Sequence, residues 1–303
     1  MYYLKGAGLT RVLALALGAI APSTLAPSAS RAAQTGPPAF AQNALWDDGK
    51  AEFSQYEGTT ERYGETRATR ARIVIVKEDL LRDVLVKSDR GPIPGATVEV
   101  LKLVFAAEFT TGSYFYRQYA TTFLERRSLE VLKENMSHFD GCGITYVRVG
   151  PKQGRTVHEA HSYWEGEADR EVPLVWPAGG APRVYWDALP LWLRGQLAPG
   201  GASKVYLVPS QVGGRSPIEA TRPVVATLHW SDAGTIRVPA GAFPAKRVEV
   251  GTPAGTDRFW FDVGFPHVLL KMETESGRRL ALTKTQRLDY WNHHAVGDEK
   301  LVE

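Results

Sequence analysis

The chain has 303 residues, of which 36 are basic and 33 acidic, and its formal net charge is +3 at neutral pH. Two basic residues, Lys5 and Arg11, would be removed with a predicted leader that is cleaved after Ser30. No basic cluster interleaved with aromatic residues stands out, which argues against nucleic-acid binding. The single cysteine excludes an internal disulfide bond.

Residues 1–32 predict a secretory signal peptide. Lys5 and Arg11 precede an apolar run at 12–21, and small residues and prolines follow as far as Ser30, with cleavage expected within 30–33. The apolar core of about 10 residues is too short to span a bilayer, which needs about 20. We therefore expect an exported protein, periplasmic or extracellular, without a transmembrane helix after cleavage. A retained membrane anchor is the alternative.

The first half of the remaining chain has the sequence pattern of a β protein. Residues 33–45 are rich in Pro and Gly and predict a flexible lead-in. Residues 46–165 contain short β-branched or alternating runs separated by turn residues, which predict an antiparallel β lobe. The runs include Ala51–Tyr56, Ala71–Lys77, Arg82–Lys87, Thr97–Glu108, Ser113–Glu125, Leu129–Met136, Ile144–Val149 and Thr156–Trp164. The acidic and then Pro/Gly-rich stretch 166–183 predicts a connection.

The second half, 184–303, predicts a further β lobe with one short helix. Leu189, Trp192 and Leu193 follow the i, i+3, i+4 spacing of a helical face, Asp187 is a candidate cap, and Gly195 is a candidate stop. Two turns of helix are not stable alone, so that face must pack against a sheet. The predicted fold is mainly β: a strongly curved, half-barrel-like antiparallel sheet around a short helix, as one continuous sheet or as two lobes.

The second half resembles the DUF3108 family. The helical pattern of Asp187–Arg194, the pair Pro199-Gly200 and a strand containing Tyr206 match first. The strand residues Phe259-Trp260-Phe261, then Pro266, and a strand–glycine turn–strand over Val268–Leu282 follow. The resemblance implies a fold similar to the lipoprotein-carrier half-barrels.

The first half resembles a set of uncharacterised secreted bacterial proteins, some of which carry a septum-formation-inhibitor label that we do not transfer. The matching residues are Trp46, Gly49, Lys50, Ala51 and Glu52, then Tyr63-Gly64-Glu65 with Arg67, then Ser137, Cys142 and Gly143. These resemblances imply a fold and a compartment, but no reaction.

Cys142 lies between two glycines, close to His138 and Asp140. A nucleophilic thiol needs a neighbouring base and access to substrate. We favour instead a tight turn in which Gly141 and Gly143 allow close approach and Cys142 is buried as a small hydrophobe. The sequence therefore predicts no catalytic residue here, although an enzyme using His138, Asp140 and Cys142 remains an alternative.

Metal and cofactor sites are not predicted. His158 and His161 are one residue short of the H-E-x-x-H zinc motif, and on a strand they would face opposite ways. His293 and His294 are adjacent and would also diverge. We find no nucleophile elbow and no glycine-rich nucleotide loop. An enzyme using His158 and His161 is kept as part of the same alternative.

The aromatic content supports a binding hypothesis. The chain has eight tryptophans, twelve tyrosines and eleven phenylalanines, mostly within predicted strands. If the helix fills only part of the concave face of the sheet, an apolar cavity remains, and each buried CH₂ of a ligand contributes about 0.8 kcal/mol. The predicted lining consists of Leu189, Trp192, Leu193, Phe259, Phe261, Val268 and Leu270.

The leading hypothesis is thus an exported, non-catalytic protein that binds a lipid or another hydrophobic envelope molecule. A structural or protein-interaction role in the envelope is the alternative from a different class. In that case the same residues would form a closed core, and an apolar surface patch or an open sheet edge would contact a partner.

Overall fold

The computed structural model describes residues 39–197, 203–213 and 221–302. The predicted signal peptide lies outside these residues. Fifteen strands make up most of the described chain. In chain order they are β1 (Ala51–Arg62), β2 (Glu65–Leu81), β3 (Thr97–Thr111), β4 (Tyr114–Glu125), β5 (Val131–Phe139), β6 (Ile144–Lys152), β7 (Arg155–Ser162), β8 (Arg170–Pro173), β9 (Arg183–Tyr185), β10 (Lys204–Val208), β11 (Val224–Val238), β12 (Gly241–Thr252), β13 (Gly255–Asp262), β14 (Leu269–Glu273) and β15 (Arg279–Leu288).

Helical structure is short in this part of the chain. The α-helical pieces are α1 (Ala39–Gln42) and α2 (Leu189–Trp192). The 3₁₀ turns are Ala44–Asp47, Trp186–Ala188, Leu193–Gln196, Tyr290–Asn292 and Asp298–Val302. Residues 186–196 run through two 3₁₀ turns and α2 without a break, and we call them the central helical segment. No helix among the described residues is long and apolar enough to cross a bilayer.

The strands form one sheet in the order β8-β7-β6-β5-β4-β3-β2-β1-β15-β14-β13-β12-β11-β10-β9. Neighbouring strands are antiparallel except β9 and β10, which are parallel. The two edge strands, β8 and β9, follow each other in the chain. The ten residue steps from Pro173 to Arg183 span at most about 35 Å, whereas a flat sheet of fifteen strands would separate its edges by about 65 Å. The sheet must therefore curl, and the predicted strongly curved sheet around a short helix is confirmed.

The central helical segment fills the inside of the curled sheet. Leu189, Leu191 and Leu193 are fully buried, and Trp192 is 4% exposed. They belong to one core cluster with the inward-facing side chains of the strands. The segment is fixed by Arg194, whose guanidinium donates two hydrogen bonds to the Glu52 carboxylate, at 2.8 and 2.9 Å. Such a buried ion pair fixes a position more than it adds net stability.

Part of the predicted lead-in is ordered. Phe40 and Ala41 of α1 are buried. The Trp46 indole donates a hydrogen bond to the Phe40 carbonyl at 2.9 Å, and Arg126 Nε donates to the Ala41 carbonyl at 2.8 Å. The expectation of flexibility over 33–45 is therefore wrong from Ala39 onward, because Phe40 and Ala41 pack in the hydrophobic core.

Other expectations for local structure also need correction. Arg82–Lys87 is a turn with a single bridge, Leu80 to Lys87, and not a strand. The predicted connection contains the strand β8, whose four residues carry no apolar run. Asp187 does not cap the helix: its carboxylate accepts hydrogen bonds from Ser210 Oγ at 2.7 Å and from the Gln211 N–H at 2.8 Å.

Candidate functional site

The residues predicted to line a ligand cavity are packed in the core. Their side chains are between 0% and 7% exposed, and all of them belong to the cluster around the central helical segment. They are Leu189, Trp192, Leu193, Phe259, Phe261, Val268 and Leu270. The central helical segment and the inward-facing side chains of the strands thus occupy the concave side of the sheet around these residues. A ligand-binding role for them stays a prediction.

The Cys142 turn differs from its prediction in one respect. Cys142 is exposed and not buried, because it lies at the tip of the β5–β6 hairpin, where Asp140 Oδ1 accepts hydrogen bonds from the N–H groups of Cys142 (2.7 Å) and Gly143 (3.0 Å). The close approach expected at the glycines is confirmed: a Cβ on Gly141 would lie 2.8 Å from the Tyr114 side chain.

This turn does not assemble a reactive thiol. His138 is buried at 2% exposure and lies 3.5 Å from Asp140 Oδ2, whereas Cys142 faces solvent. The structure has no hydrogen bond between the imidazole and the thiol. Asp140 therefore connects to both residues, yet His138 is not placed to take a proton from Cys142.

The other histidines are also dispersed. His158 is fully buried and its Nε2 lies 2.7 Å from Gln211 Oε1. His161 is exposed on the opposite face of β7 and pairs with Asp169, and His293 pairs with Asp289 near the end of the chain. Among the described residues, no group of three or more His, Cys, Asp and Glu side chains is placed to hold a metal ion.

A polar cluster lies inside the sheet at the end that carries the hairpin turns 63–64, 112–113, 140–143 and 274–278, which we call the upper end. Thr60, Gln118 and His138 are all buried there and face inward. Gln118 Nε2 lies 3.3 Å from His138 Nδ1, and Arg278 donates hydrogen bonds to both Thr60 Oγ1 (3.3 Å) and Gln118 Oε1. Burial is the main cause that lowers the pKa of His138, so the imidazole tends to be neutral.

The outer face of β4–β6 carries an exposed apolar surface, which we call the outer aromatic patch: Phe115, Phe139, Ile144 and Tyr146. Their exposures are 45%, 38%, 57% and 38%. The rings of Phe115 and Phe139 are 5.5 Å apart, and Phe139 pairs directly with Ile144 across the β5–β6 ladder. Contiguous exposed apolar surface of this kind commonly marks an interaction site.

A large open cavity adjoins this patch. It has a volume of about 820 Å³ and lies along the outer sides of β1 to β4. Phe115 and Arg117 line its edge, and the Arg117 guanidinium lies 5.0 Å from the centre of the Phe115 ring. Arg70 and Glu108 line it as well. The cavity has the volume of a small-molecule site, but it is open and has charged walls.

The polar cluster inside the upper end, the outer aromatic patch and the open cavity were not identified from the sequence. Arg62 has the same phase on β1 as the buried Tyr56 and Thr60, so strict alternation could have placed it inside the sheet. Arg278, which donates a hydrogen bond to Thr60 at the same end of the sheet, lies 216 residues after Arg62 in the sequence, and no local pattern links the two.

The two phenylalanines of the outer aromatic patch differ in how the sequence placed them. Phe115 lies within the predicted strand Ser113–Glu125. Phe139 lies beyond the predicted strand Leu129–Met136 and belongs to β5 in the structure. The sequence alone does not say which face of a twisted sheet is covered.

Comparisons with known proteins add little. No family model matches the chain, and no curated protein matches it, so the resemblance to DUF3108 stays a prediction. One solved structure that it is similar to is the crystal structure of a β-barrel-like protein of domain of unknown function DUF1849 from Brucella abortus. The identity is 12%, the TM-score is 0.47, and the alignment covers 78% of this chain and 98% of the other.

Proposed function

We propose that this protein is an exported, non-catalytic binding protein for a hydrophobic, lipid-like envelope molecule, and that it binds this molecule on the outer face of its sheet. The observation that carries the proposal is the continuity of the outer aromatic patch with the 820 Å³ cavity through Phe115 and Arg117. The central helical segment occupies the interior, so the outer face offers more room for an acyl chain.

The chemistry of this surface suits an amphipathic ligand. An acyl chain on Phe115, Phe139 and Ile144 would remove apolar surface from water at about 25 cal/mol per Å². Arg117 and Arg70 at the cavity edge would contact a polar or anionic head. Arg70 makes only a long, exposed contact to Glu57, at 3.7 Å, and Arg117 a similar one to Glu108, at 3.9 Å, so both are available at little energetic cost.

The enzyme alternative has less support. His138 and Cys142 differ in exposure and form no hydrogen bond, and His158 and His161 point to opposite faces of β7. The protein-interaction alternative would use the same outer aromatic patch, and a lipid-binding experiment separates it from the lipid proposal.

The test combines identification and mutation. The mature protein is purified from its native envelope and co-purifying lipids are identified by mass spectrometry; binding to lipid vesicles is then measured by flotation. We expect Ile144→Ser and Phe139→Ser each to weaken vesicle binding about tenfold, the loss of most of one apolar contact. The matched control is Val225→Ser, an exposed residue of similar type on β11.

Absence of lipid from the purified protein together with absence of vesicle binding would overturn the proposal. If Ile144→Ser and Val225→Ser weakened vesicle binding equally, the proposal would also be overturned, because vesicle binding would then not depend on the outer aromatic patch.

A further inference from the structure

Three arginine side chains point into the sheet at the upper end. Arg62 continues the inward-facing row of β1 after Thr60, and Arg67 pairs with Thr60 across the β1–β2 ladder, so it shares the same face. Arg278 immediately precedes β15 and reaches Thr60 from the other side. The Arg67 side chain is 21% exposed and forms an ion pair with the exposed Glu65, whereas Arg278 is 9% exposed. The three arginines therefore extend from the solvent-exposed end of the sheet into its interior.

Among the described residues, Arg278 forms hydrogen bonds only with neutral partners, and the charge of the buried Asp187 acts on it without an ion pair. It donates hydrogen bonds to Thr60 Oγ1 and Gln118 Oε1, and its guanidinium lies 5.3 Å from the centre of the Phe105 ring. Burial lowers its pKa to about 10, which still leaves it protonated at neutral pH. A buried cation without an ion-pair partner is unfavourable unless something else compensates it.

Arg62 also contacts neutral aromatic side chains and forms no ion pair with a described carboxylate. Its guanidinium lies 4.6 and 5.1 Å from the rings of Tyr63 and Tyr116, and its Nη2 reaches the two phenol oxygens only at 3.5 Å. Its Nε has no hydrogen-bond partner, and neither Arg62 nor Arg278 forms an ion pair with a described carboxylate.

His138 belongs to the same space. Arg62 reaches the Tyr116 hydroxyl, and the Tyr116 ring centre lies 5.5 Å from the imidazole. Arg278 donates to Gln118, whose Nε2 lies 3.3 Å from His138 Nδ1.

The other ring nitrogen, His138 Nε2, has no partner within hydrogen-bond geometry and faces Asp140 Oδ2 at 3.5 Å, while Asp140 Oδ1 accepts the backbone N–H groups of Cys142 and Gly143. The upper interior thus holds two guanidinium groups without an ion pair among the described residues, and Arg62 Nε is a donor without a hydrogen-bond partner there.

We propose that Arg62, Arg278 and His138 form a binding site for a small oxyanion, a phosphate or carboxylate group, that enters at the upper end past Arg67. Guanidinium groups bind the oxygens of such anions with two parallel hydrogen bonds. Tyr63 and Tyr116, whose hydroxyl oxygens are 2.8 Å apart, are further donors at the same end. This proposal does not rest on the lipid-binding function, since the outer patch lies on the opposite face of the sheet.

The test is calorimetric titration of the mature protein, without further truncation, with inorganic phosphate at an ionic strength held constant with sodium chloride. We expect saturable binding of one phosphate per chain. Arg62→Gln and Arg278→Gln should each weaken it at least tenfold, because each removes one charged donor pair. Arg279→Gln is the matched control: it removes the same charge from the next residue, which is exposed.

If Arg278→Gln fails to fold, Arg62→Gln still provides the test, because Arg62 is only partly buried and its removal leaves no described carboxylate without an ion-pair partner. A second arm uses vesicles that contain a lipid with a phosphate head group. If phosphate binds the wild type and Arg62→Gln weakens this binding, the site is supported. If Arg62→Gln also weakens vesicle binding, the anion is the phosphate of a lipid head group. Failure of phosphate to bind, or equal binding by Arg62→Gln and Arg279→Gln, would overturn the proposal.

Discussion

Two buried arginines at opposite ends of the sheet show different uses of the same side chain. Arg194, toward the lower end, is fully buried and donates two hydrogen bonds to Glu52, so its charge is matched within the fold. Arg278, at the upper end, is nearly as buried but meets only a hydroxyl, an amide oxygen and an aromatic ring. The first arrangement positions the central helical segment; the second leaves positive charge available for a ligand.

The largest expected effect comes from breaking the matched pair. Glu52→Gln leaves the Arg194 guanidinium buried without its counter-charge, and we expect the free energy of unfolding in urea to fall by about 3–5 kcal/mol. The double variant Glu52→Gln/Arg194→Met should recover much of that loss. If the single variant is as stable as the wild type, the pair does not fix the segment.

The next effect concerns the buried acid whose charge acts on Arg278. Burial raises the pKa of Asp187 to about 6, from an ordinary value of 3.8. The folded state therefore binds more protons than the unfolded state between about pH 4 and 6, and this group reduces stability as the pH rises through that window, by about 2–3 kcal/mol in total.

The measurement is the free energy of unfolding against pH for the wild type and Asp187→Asn, which should lose that part of the dependence. The nearby Glu134 carboxyl contributes with the same sign, because burial and the charge of Asp187 raise its pKa as well. A pH profile that is identical in the two proteins would contradict the assignment.

A smaller effect is expected at Arg278, which forms no ion pair with a described carboxylate. In phosphate-free buffer, Arg278→Met removes a buried charge and keeps an apolar side chain on Phe105, so the free energy of unfolding should stay within about 1 kcal/mol of the wild type. A loss comparable to that of Glu52→Gln would mean that Arg278 serves the fold, and would remove the contrast between the two arginines.

The smallest effect is expected at Cys142. Because it is exposed at a hairpin tip, Cys142→Ser should change stability by less than about 0.5 kcal/mol. In the native state the thiol should react with a maleimide reagent nearly as fast as in the unfolded chain. Slow native labelling that becomes fast in urea would contradict the exposed turn.

Local patterns predicted much of the fold. The alternation of Ala51–Tyr56 and the apolar run of Thr97–Glu108 lie within β1 and β3, and the spacing of Leu189, Trp192 and Leu193 placed a short helix against the sheet. These succeeded because the side chains that make the pattern are the ones that are buried. Arg82–Lys87 failed because a β-branched run also fits a turn when Leu85 adopts a positive φ of 50°.

The candidate sites were harder to predict. The expected lining residues are core, because the central helical segment fills the concave side more completely than its length suggested. Burial of Cys142 was wrong because a small hydrophobe at a hairpin tip can face solvent when backbone N–H groups are satisfied by Asp140. Arg62 and Arg278 could be joined only by the β1–β15 pairing.

The amino-acid sequence by itself determined that this chain forms antiparallel strands around one short apolar helix, since periodicity and turn residues are local properties. Only the tertiary structure decided how fifteen strands curl, which face of each is covered and which charges are matched. The physical reason is that burial and ion pairing depend on distances between residues far apart in the chain, such as Glu52 and Arg194, which no local pattern encodes.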